Sequence, residues 1–195
     1  KTKWHQIYPY NKYCPKAING GSGGHTVAGC VAVALAQLLK YFEKPYSGKG
    51  SVNYEIANYG RIIADFSNSY RWSNIVGTLR NETDTAKINE TAKLIFHAGA
   101  AVNTSYGDDL SGAAFIDAYY ALSNYFFYTK GSYYLKGLNG KTGAAYTQEE
   151  WLNLLKTELD AKRPILYRAS DSKGSGYHVF LVDGYDENNY LHVNW

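Results

Sequence analysis

The chain has no methionine, only two cysteines and only four prolines among its 195 residues. Two cysteines are too few for the disulfide framework on which small secreted scaffolds depend. No apolar run reaches the ~18 to 20 residues that span a bilayer, so the sequence predicts no membrane span. The net charge of +3 is small and the basic residues are scattered, which argues against a nucleic-acid partner. These absences leave a globular chain that is long enough to bury a sizeable core.

Motifs for cofactors and metals are also missing. The sequence has no Walker loop, no G-x-S-x-G elbow and no dinucleotide-binding fingerprint after a strand. His5, His97 and His192 stand singly, without the spacing of a zinc site. We therefore expect no cofactor and no metal.

A glycine-rich stretch over residues 20–29 runs directly into an apolar helix, and Cys30 stands at the junction. The first amides of a helix lack partners and, together with the helix dipole, favour a thiolate over a thiol at this point. The alternative is a small buried cysteine that opens a core helix. For Cys14 we expect a packed free thiol rather than a disulfide with Cys30, because oxidation would consume the well-placed nucleophile.

Hydrophobic periodicity predicts helices in the first part of the chain and strands after Pro164. The three strands are expected at 165–168, 177–182 and 190–194. The sequence thus predicts an α+β fold in which a helical half carries the thiol and an antiparallel sheet half carries an imidazole, with a cleft between them. The four helices are expected at about Gly29 to Phe42, Thr85 to Phe96, Gly112 to Tyr125, and from the N-cap Thr147 to Leu159.

His178 is the candidate base for Cys30, although nearly 150 residues separate them in sequence. His25 lies closer to Cys30 in sequence, but it sits in the glycine-rich stretch, where we expect it to be exposed to solvent. A thiolate paired with an imidazolium is the arrangement that acyl transfer requires.

Acyl transfer also needs a group that holds the tautomer of the base and donors for the oxyanion. Asn194, on the strand expected beside His178, is the candidate for the first task, and Trp195 would shield that hydrogen bond from water. A strand-end cap is the alternative for Asn194. Gln6, together with the Cys30 amide, is the candidate for the second task.

Five motifs in order along the whole chain carry a resemblance to a known family. Together they resemble the streptopain family of papain-like cysteine peptidases. The motifs are residues 4–11 (WHQIYPYN), 25–37 (HTVAGCVAVALAQ), 106–107 (YG), 176–184 (GYHVFLVDG) and 192–195 (HVNW).

The resemblance implies a papain-like fold and a secreted bacterial endopeptidase that acts on proteins or peptides and is made as a zymogen. Its implied partner, besides substrate, is an N-terminal pro-domain or another proteinaceous inhibitor. It also implies a preference for a bulky apolar residue two positions before the scissile bond. The site residues that it implies are Cys30 and His178 as the catalytic pair, Gln6 as the oxyanion donor, Asn194 and Trp195 beside the histidine, and Tyr106, Gly107, Ser111, Gly112, Gly176 and Tyr177 in substrate binding.

The chain departs from the family pattern in two respects. Members continue past the HVNW motif into further strands and carry a pro-domain before the catalytic part, so residues 1–195 are expected to be one catalytic domain trimmed at both ends. Asn194 and Trp195 are adjacent, whereas papain separates the corresponding pair by one residue. This difference puts in question whether Asn194 orients His178.

Two other functions remain as alternatives. A papain-like scaffold could bind proteins or cell-wall peptides without turnover, with its 20 tyrosines as the contact surface. A Cys–His enzyme of the amidase or transglutaminase type would keep the pair of residues and change the reaction. Intact Cys30, His178 and Gln6 favour catalysis over the scaffold, which has no chemical need for all three.

Overall fold

The structure is a computed structural model that describes residues 2–129, 131–171, 173–174 and 176–195. None of the helices in these ranges is both long enough and apolar enough to cross a membrane. In chain order the elements are α1 (Cys30–Phe42), β1 (Ser51–Ile56), β2 (Gly60–Asp65), α2 (Thr85–Ala101), α3 (Phe115–Asn124), α4 (Gln148–Asp160), β3 (Ile165–Ala169), β4 (His178–Tyr185) and β5 (Leu191–Asn194).

Helix α1 is the centre of the larger core. Residues 31–39 are all buried, which is typical of a helix that is apolar on every side and surrounded by protein. It packs against α2 on one side and against β4 on another. The helix ends where Glu43 adopts a left-handed conformation and donates its N–H to the Lys40 carbonyl. The sequence prediction for α1 is therefore confirmed to within one residue.

Helix α2 runs five residues beyond its predicted end at Phe96. The added turn contains His97 and Gly99, which weaken a helix in isolation. Burial offsets that cost, because Gly99 lies where a side chain would meet Ala32 Cβ at 3.2 Å and the Tyr106 hydroxyl at 2.4 Å. Close packing on α1 thus carries the helix past the point where its own sequence would end it.

Strands β1 and β2 form an antiparallel hairpin that the sequence analysis did not predict. Its pairing runs from Ser51 opposite Asp65 to Ile56 opposite Gly60. The signal was present, since Val52, Tyr54 and Ile56 alternate with polar residues, as in a half-buried strand. The first part of the chain therefore contains a sheet of its own among the helices.

The second sheet has the antiparallel order β3-β4-β5, and its three strands agree with those predicted. One face contributes Val179 and Leu166 to the core around α1. The other face packs Phe180 and Val182 against Leu159 of α4. Helix α4 begins with the predicted capping box between Thr147 and Glu150. The α+β prediction, with a helical part and an antiparallel sheet part, is confirmed.

Candidate active site

Cys30 is the first residue of α1 and is half-buried at the edge of the larger core. Gly29 occupies the N-cap position and supplies no side chain to the first helical amides. These amides therefore keep their hydrogen-bonding capacity for an anion beside the sulfur. The structure places the thiol in the environment that the sequence predicted.

The backbone before Cys30 is held by the segment 107–112. Gly29 has φ +90, and a side chain there would meet the Ser111 carbonyl oxygen at 3.2 Å. The Ser111 hydroxyl donates to the Val27 carbonyl at 2.6 Å and accepts from the Gly107 N–H at 3.0 Å. Val27 in turn donates its N–H to the Gly107 carbonyl at 3.2 Å. Two chain segments thus fix the entry into α1.

Asn11 holds the loop before Cys30, a structural role that its sequence context did not predict. It is fully buried, and its Nδ2 lies within hydrogen-bond distance of the Ser22, Thr26 and His25 carbonyls. A single amide therefore organises the loop that leads into Cys30. A sequence signal existed only in the position of Asn11 inside the WHQIYPYN motif.

His25 is not the freely exposed residue that we expected from its glycine-rich surroundings. It is half-buried, and its Nδ1 lies 2.6 Å from the Cys14 carbonyl oxygen, which can only accept. Its Nε2 lies 3.1 Å from Lys16 Nζ, which can only donate. Both ring nitrogens of a neutral imidazole are thereby used, so His25 has no free nitrogen with which to activate Cys30.

His178 opens β4, and two observations indicate that β4 runs in the same direction as α1. Gln37 of α1 is hydrogen-bonded to Asn194, the residue paired with Leu181 of β4. Further along both elements, Tyr41 borders the same cavity of about 370 Å³ as Asp183 and Tyr185. The beginnings of α1 and β4 consequently lie at the same end of this layer.

The distances along the two elements agree with that placement. Cys30 lies seven residues before Gln37, or about 10 Å along a helix. His178 lies three residues before Leu181, or about 10 Å along a strand. Within the described residues no hydrogen bond joins the Cys30 sulfur to the His178 ring. Such contacts are often long in ligand-free enzymes and tighten when substrate binds.

The imidazole of His178 is enclosed by aromatic rings. Its centroid lies 5.2 Å from that of Trp195 and 6.3 Å from that of Phe180. Partial burial lowers the pKa of His178 below its ordinary value, because the charged imidazolium is poorly solvated there. The imidazolium form therefore gives up its proton more readily than an exposed one would.

Asn194 does not orient His178, so this sequence expectation is corrected. Asn194 pairs with Leu181, three residues along β4 from His178, and side chains alternate between faces along a strand. The amide therefore points to the α1 side of the sheet, where Gln37 donates to its oxygen at 3.0 Å. Trp195, the next residue, lies on the other face and reaches the His178 ring. The expected shielding of an Asn194–His178 hydrogen bond is likewise absent within the described residues.

Gln6, the candidate oxyanion donor, is tied to the backbone just before Cys30. Its backbone carbonyl accepts from the Ala28 N–H at 2.8 Å, two residues before Cys30. The residue is half-buried, and no hydrogen bond of its side-chain amide is found in the described part of the chain. Among the described residues that amide is therefore not engaged by another group.

Two of the expected substrate-binding residues are structural instead. Tyr106 and Ser111 are 3% and 2% exposed, so neither side chain can touch a bound peptide in this conformation. Contact of either side chain with substrate is therefore not supported: Tyr106 is packed in the larger core, and Ser111 joins the two segments described above. The remaining candidates lie nearer to solvent: Gly107 is half-buried, and Gly112, Gly176 and Tyr177 are exposed.

Tyr177 is accompanied by a residue that the sequence analysis did not single out. The Arg168 guanidinium lies 3.8 Å from the centroid of the Tyr177 ring. Tyr177 is the residue immediately before His178. The sequence pattern predicts only that Arg168 lies on a strand. Its contact with Tyr177 depends on the pairing of β3 with β4, which a local pattern does not reveal.

Cys14 is a buried free thiol, as predicted, and no disulfide joins it to Cys30. Burial raises the pKa of Cys14 to about 12, so this thiol is unreactive at neutral pH. Among the residues that the structure describes, no group of three His, Cys, Asp or Glu side chains is placed to hold a metal ion. The candidate site consists of Cys30, His178, Gln6 and Trp195.

Known proteins share both the sequence pattern and the fold of this chain. The profile of the peptidase C10 family matches residues 4–195. The structure is similar to that of active wild-type interpain A, a cysteine protease of Prevotella intermedia, with a TM-score of 0.86 and 33% identity over 100% of this chain and 78% of that one. A mutant fragment of prointerpain A from the same organism gives a TM-score of 0.85 at 33% identity over 100% of this chain and 59% of that one. The papain-like architecture is thereby confirmed.

The curated relatives are longer than this chain. The thiol protease/hemagglutinin PrtT of Porphyromonas gingivalis is 28% identical over 98% of the chain and 21% of its own length. Streptopain of Streptococcus pyogenes is 26% identical over 98% of the chain and 50% of its own length. The chain therefore spans a fifth to a half of the relatives that it matches.

Proposed function

Because the chain belongs to the peptidase C10 family, we propose that it is the catalytic part of a cysteine endopeptidase, with Cys30 as nucleophile and His178 as base. The observation that carries the proposal is the position of Cys30 at the uncapped start of α1, at the same end of the layer as His178. A half-buried thiol beside unpaired helix amides has a chemical use in acyl transfer.

The reaction uses the thiolate–imidazolium pair that forms when His178 takes the proton from Cys30 Sγ. The thiolate attacks the scissile carbonyl carbon, and the carbonyl π electrons move to oxygen. The Cys30 N–H and the Gln6 amide donate to this oxyanion. When the intermediate collapses, the C–N bond breaks and the imidazolium gives its proton to the departing amine. The product is a thioester between Cys30 and the substrate acyl group.

Hydrolysis of the thioester restores the enzyme. His178 takes a proton from water, and the hydroxide oxygen forms a bond to the acyl carbon. The second tetrahedral intermediate uses the same two donors as the first. The C–S bond then breaks, the acid leaves, and the proton returns to the sulfur. Trp195 covers one side of the His178 ring and limits the access of bulk water to it.

The proposal also covers the substrate preference, secretion and the pro-domain. We assign the preference for a bulky apolar residue two positions before the scissile bond to the exposed surface around Gly112, Gly176 and Tyr177. We also propose that the protein is a secreted bacterial protease made with an inhibitory N-terminal pro-domain. The prointerpain A similarity supports the pro-domain, and the two bacterial thiol-protease relatives support the class of substrate.

The test is a digestion of casein and of fluorogenic peptides by the full-length protein, with and without an epoxide inhibitor of cysteine proteases. Peptide-bond cleavage that the epoxide abolishes is the expected result. Binding of peptides without cleavage would favour the scaffold instead. Ammonia release or amine transfer at glutamine side chains, with the backbone left intact, would favour the amidase or transglutaminase type.

A further inference from the structure

Gln37 is a polar residue in the middle of an otherwise apolar buried helix. Its side chain is 1% exposed, and its Nε2 donates to Asn194 Oδ1 at 3.0 Å. Asn194 Nδ2 in turn donates to the Thr2 hydroxyl at 2.8 Å. Two amides and a hydroxyl therefore form one chain of hydrogen bonds through the interior, and the catalytic mechanism above uses none of them.

The three residues belong to the three pieces of chain that hold the candidate site. Gln37 is on α1, which begins with Cys30. Asn194 is on β5, which pairs with β4 and its first residue His178. Thr2 is on the N-terminal segment that carries Gln6 to the Ala28 backbone. The network is the point at which nucleophile, base and oxyanion donor are joined through side chains.

The geometry points to Gln37 and Asn194 as positioning residues that hold the sheet bearing His178 in register with the helix bearing Cys30. This inference rests on the proposed function. Asn194 and Trp195 are consecutive and face opposite sides of the sheet, so the bond from Asn194 to α1 also fixes the ring that packs on His178. A shift of β5 along α1 would leave the buried Gln37 amide and the half-buried Asn194 amide without each other, which is costly for the buried one.

A contribution to the free energy of unfolding does not by itself explain the hydrogen bond between Gln37 and Asn194. Gln37 Oε1 is buried without a hydrogen-bond partner among the described residues, so the arrangement carries a cost that an apolar side chain would not. Replacing two paired polar groups by apolar groups of similar shape is often neutral for stability. An amide pair retained at such a place specifies one alignment of helix and sheet, because only that alignment satisfies its directional bond.

The experiment separates alignment from stability with near-isosteric variants of the full-length protein. Gln37→Met and Asn194→Leu each leave one amide alone, whereas the double variant removes both. The reciprocal swap, Gln37→Asn with Asn194→Gln, keeps an amide pair of the same total length. Leu94→Ala, at a fully buried position on α2, is the control for loss of stability without a change at the pair. The measurements are kcat, KM, the urea midpoint, and the rate at which iodoacetamide alkylates Cys30 near pH 6.

We expect the double variant to keep the wild-type urea midpoint and KM, and to lose at least about tenfold in kcat and in Cys30 alkylation, as misplaced catalytic groups do. The swap is expected to recover most of both rates. Leu94→Ala is expected to lower the urea midpoint with little change in kcat. Should either single variant fail to fold, the double variant and the swap still decide the question.

A folded double variant with wild-type kcat and alkylation rate would overturn the inference while leaving the proposed function intact. The inference would also be overturned if the double variant lost kcat only in proportion to its lower urea midpoint, as Leu94→Ala would then do as well. A wild-type protein without peptidase activity and without fast alkylation of Cys30 would overturn both. Peptidase activity and Cys30 alkylation of the wild type therefore test the proposed function. The ratios of kcat and of alkylation rate between variant and wild type test the positioning role of Gln37 and Asn194.

Discussion

The helical part and the sheet part of this protein hold their candidate catalytic residues in different ways. Cys30 begins a helix whose residues 31–39 are all buried in the larger core. His178 begins a strand whose next four residues are buried, one face in the larger core and the other against Leu159, but the His178 ring itself is half-buried at the strand end. The nucleophile is thus fixed by extensive packing, whereas the base depends on a few ring contacts and on the alignment of sheet with helix.

This difference predicts which substitutions reduce activity without unfolding the protein. Substitutions around Cys30 meet a core that resists rearrangement, so they act mainly on stability. Substitutions around His178 meet half-buried surroundings and can displace the ring while the protein stays folded. We expect activity to be lost more easily from the sheet side, and four predictions test that expectation.

The largest expected effect is that of His178→Ala on turnover. Loss of a general base costs about 10²- to 10⁴-fold in kcat. Because the residue is half-buried at a strand end, the urea midpoint should stay near that of the wild type. Steady-state cleavage of a fluorogenic peptide measures the first quantity. The matched control is His25→Ala, whose ring is bonded elsewhere and which should keep kcat within a fewfold. Equal losses in the two variants would contradict the assignment.

Gln6→Ala should have the next largest effect. Removal of one oxyanion donor costs about 10²- to 10³-fold in kcat. Only the side-chain amide is lost, since the bond from the Ala28 N–H to the residue 6 carbonyl belongs to the backbone. KM should therefore change little. Gln6→Glu, which places a repelling charge at the same point, should be at least as slow. A variant with raised KM and unchanged kcat would assign Gln6 to substrate binding instead.

His97 makes the helical part sensitive to acid. Burial lowers the pKa of His97 to about 4, and the Tyr70 hydroxyl is hydrogen-bonded to its Nδ1 at 2.9 Å. The unfolded chain has a His pKa near ~6.5 and so binds the proton first as pH falls. The free energy of unfolding should accordingly be level above about pH 6.5 and fall by roughly 3 kcal/mol between there and pH 4 through this group.

Urea denaturation across that pH range measures the effect. His97→Asn, which keeps a hydrogen-bond acceptor near the Tyr70 hydroxyl, should flatten this part of the pH dependence. His5→Asn, at an exposed position, should leave the wild-type curve unchanged. A His97→Asn curve parallel to the wild type would show that some other group carries the acid sensitivity.

The smallest expected effect is a difference in packing between the two parts. Leu35 is fully buried, so Leu35→Ala should lower the free energy of unfolding by about 2–5 kcal/mol. Leu191 on β5 is half-buried, so Leu191→Ala should cost about 1 kcal/mol. Urea denaturation gives both values, and Leu35→Ile serves as the volume-conserving control. Equal costs at the two positions would remove the contrast between the parts.

The sequence was informative where structure is local. The start of α1 at Cys30 follows from a glycine-rich stretch before an apolar run, and the capping box of α4 follows from Thr147 and Glu150. Motifs spread along the whole chain were enough to propose that Cys30, His178 and Gln6 form one site. In each case the signal lies within a few neighbouring residues or in a fixed order of motifs.

The sequence was misleading where pairing between distant segments decides the outcome. Asn194 is bonded to Gln37 instead of His178, because the register of β5 on β4 places it on the opposite face from the His178 ring. Ser111 is buried because it joins Val27 to Gly107, a contact across 84 residues. The end of α2 and the role of Gln37 likewise depend on what packs against them. No local pattern contains that information.

The most direct test of the central claim is the rate at which iodoacetamide alkylates Cys30 near pH 6, followed by mass spectrometry in the wild type and in His178→Ala. The account predicts fast alkylation of Cys30 in the wild type, a fall of at least about tenfold without the imidazole, and a slow rate at buried Cys14 in both. An unchanged rate at Cys30 after removal of His178 would show that the two side chains do not act together, and would contradict the account.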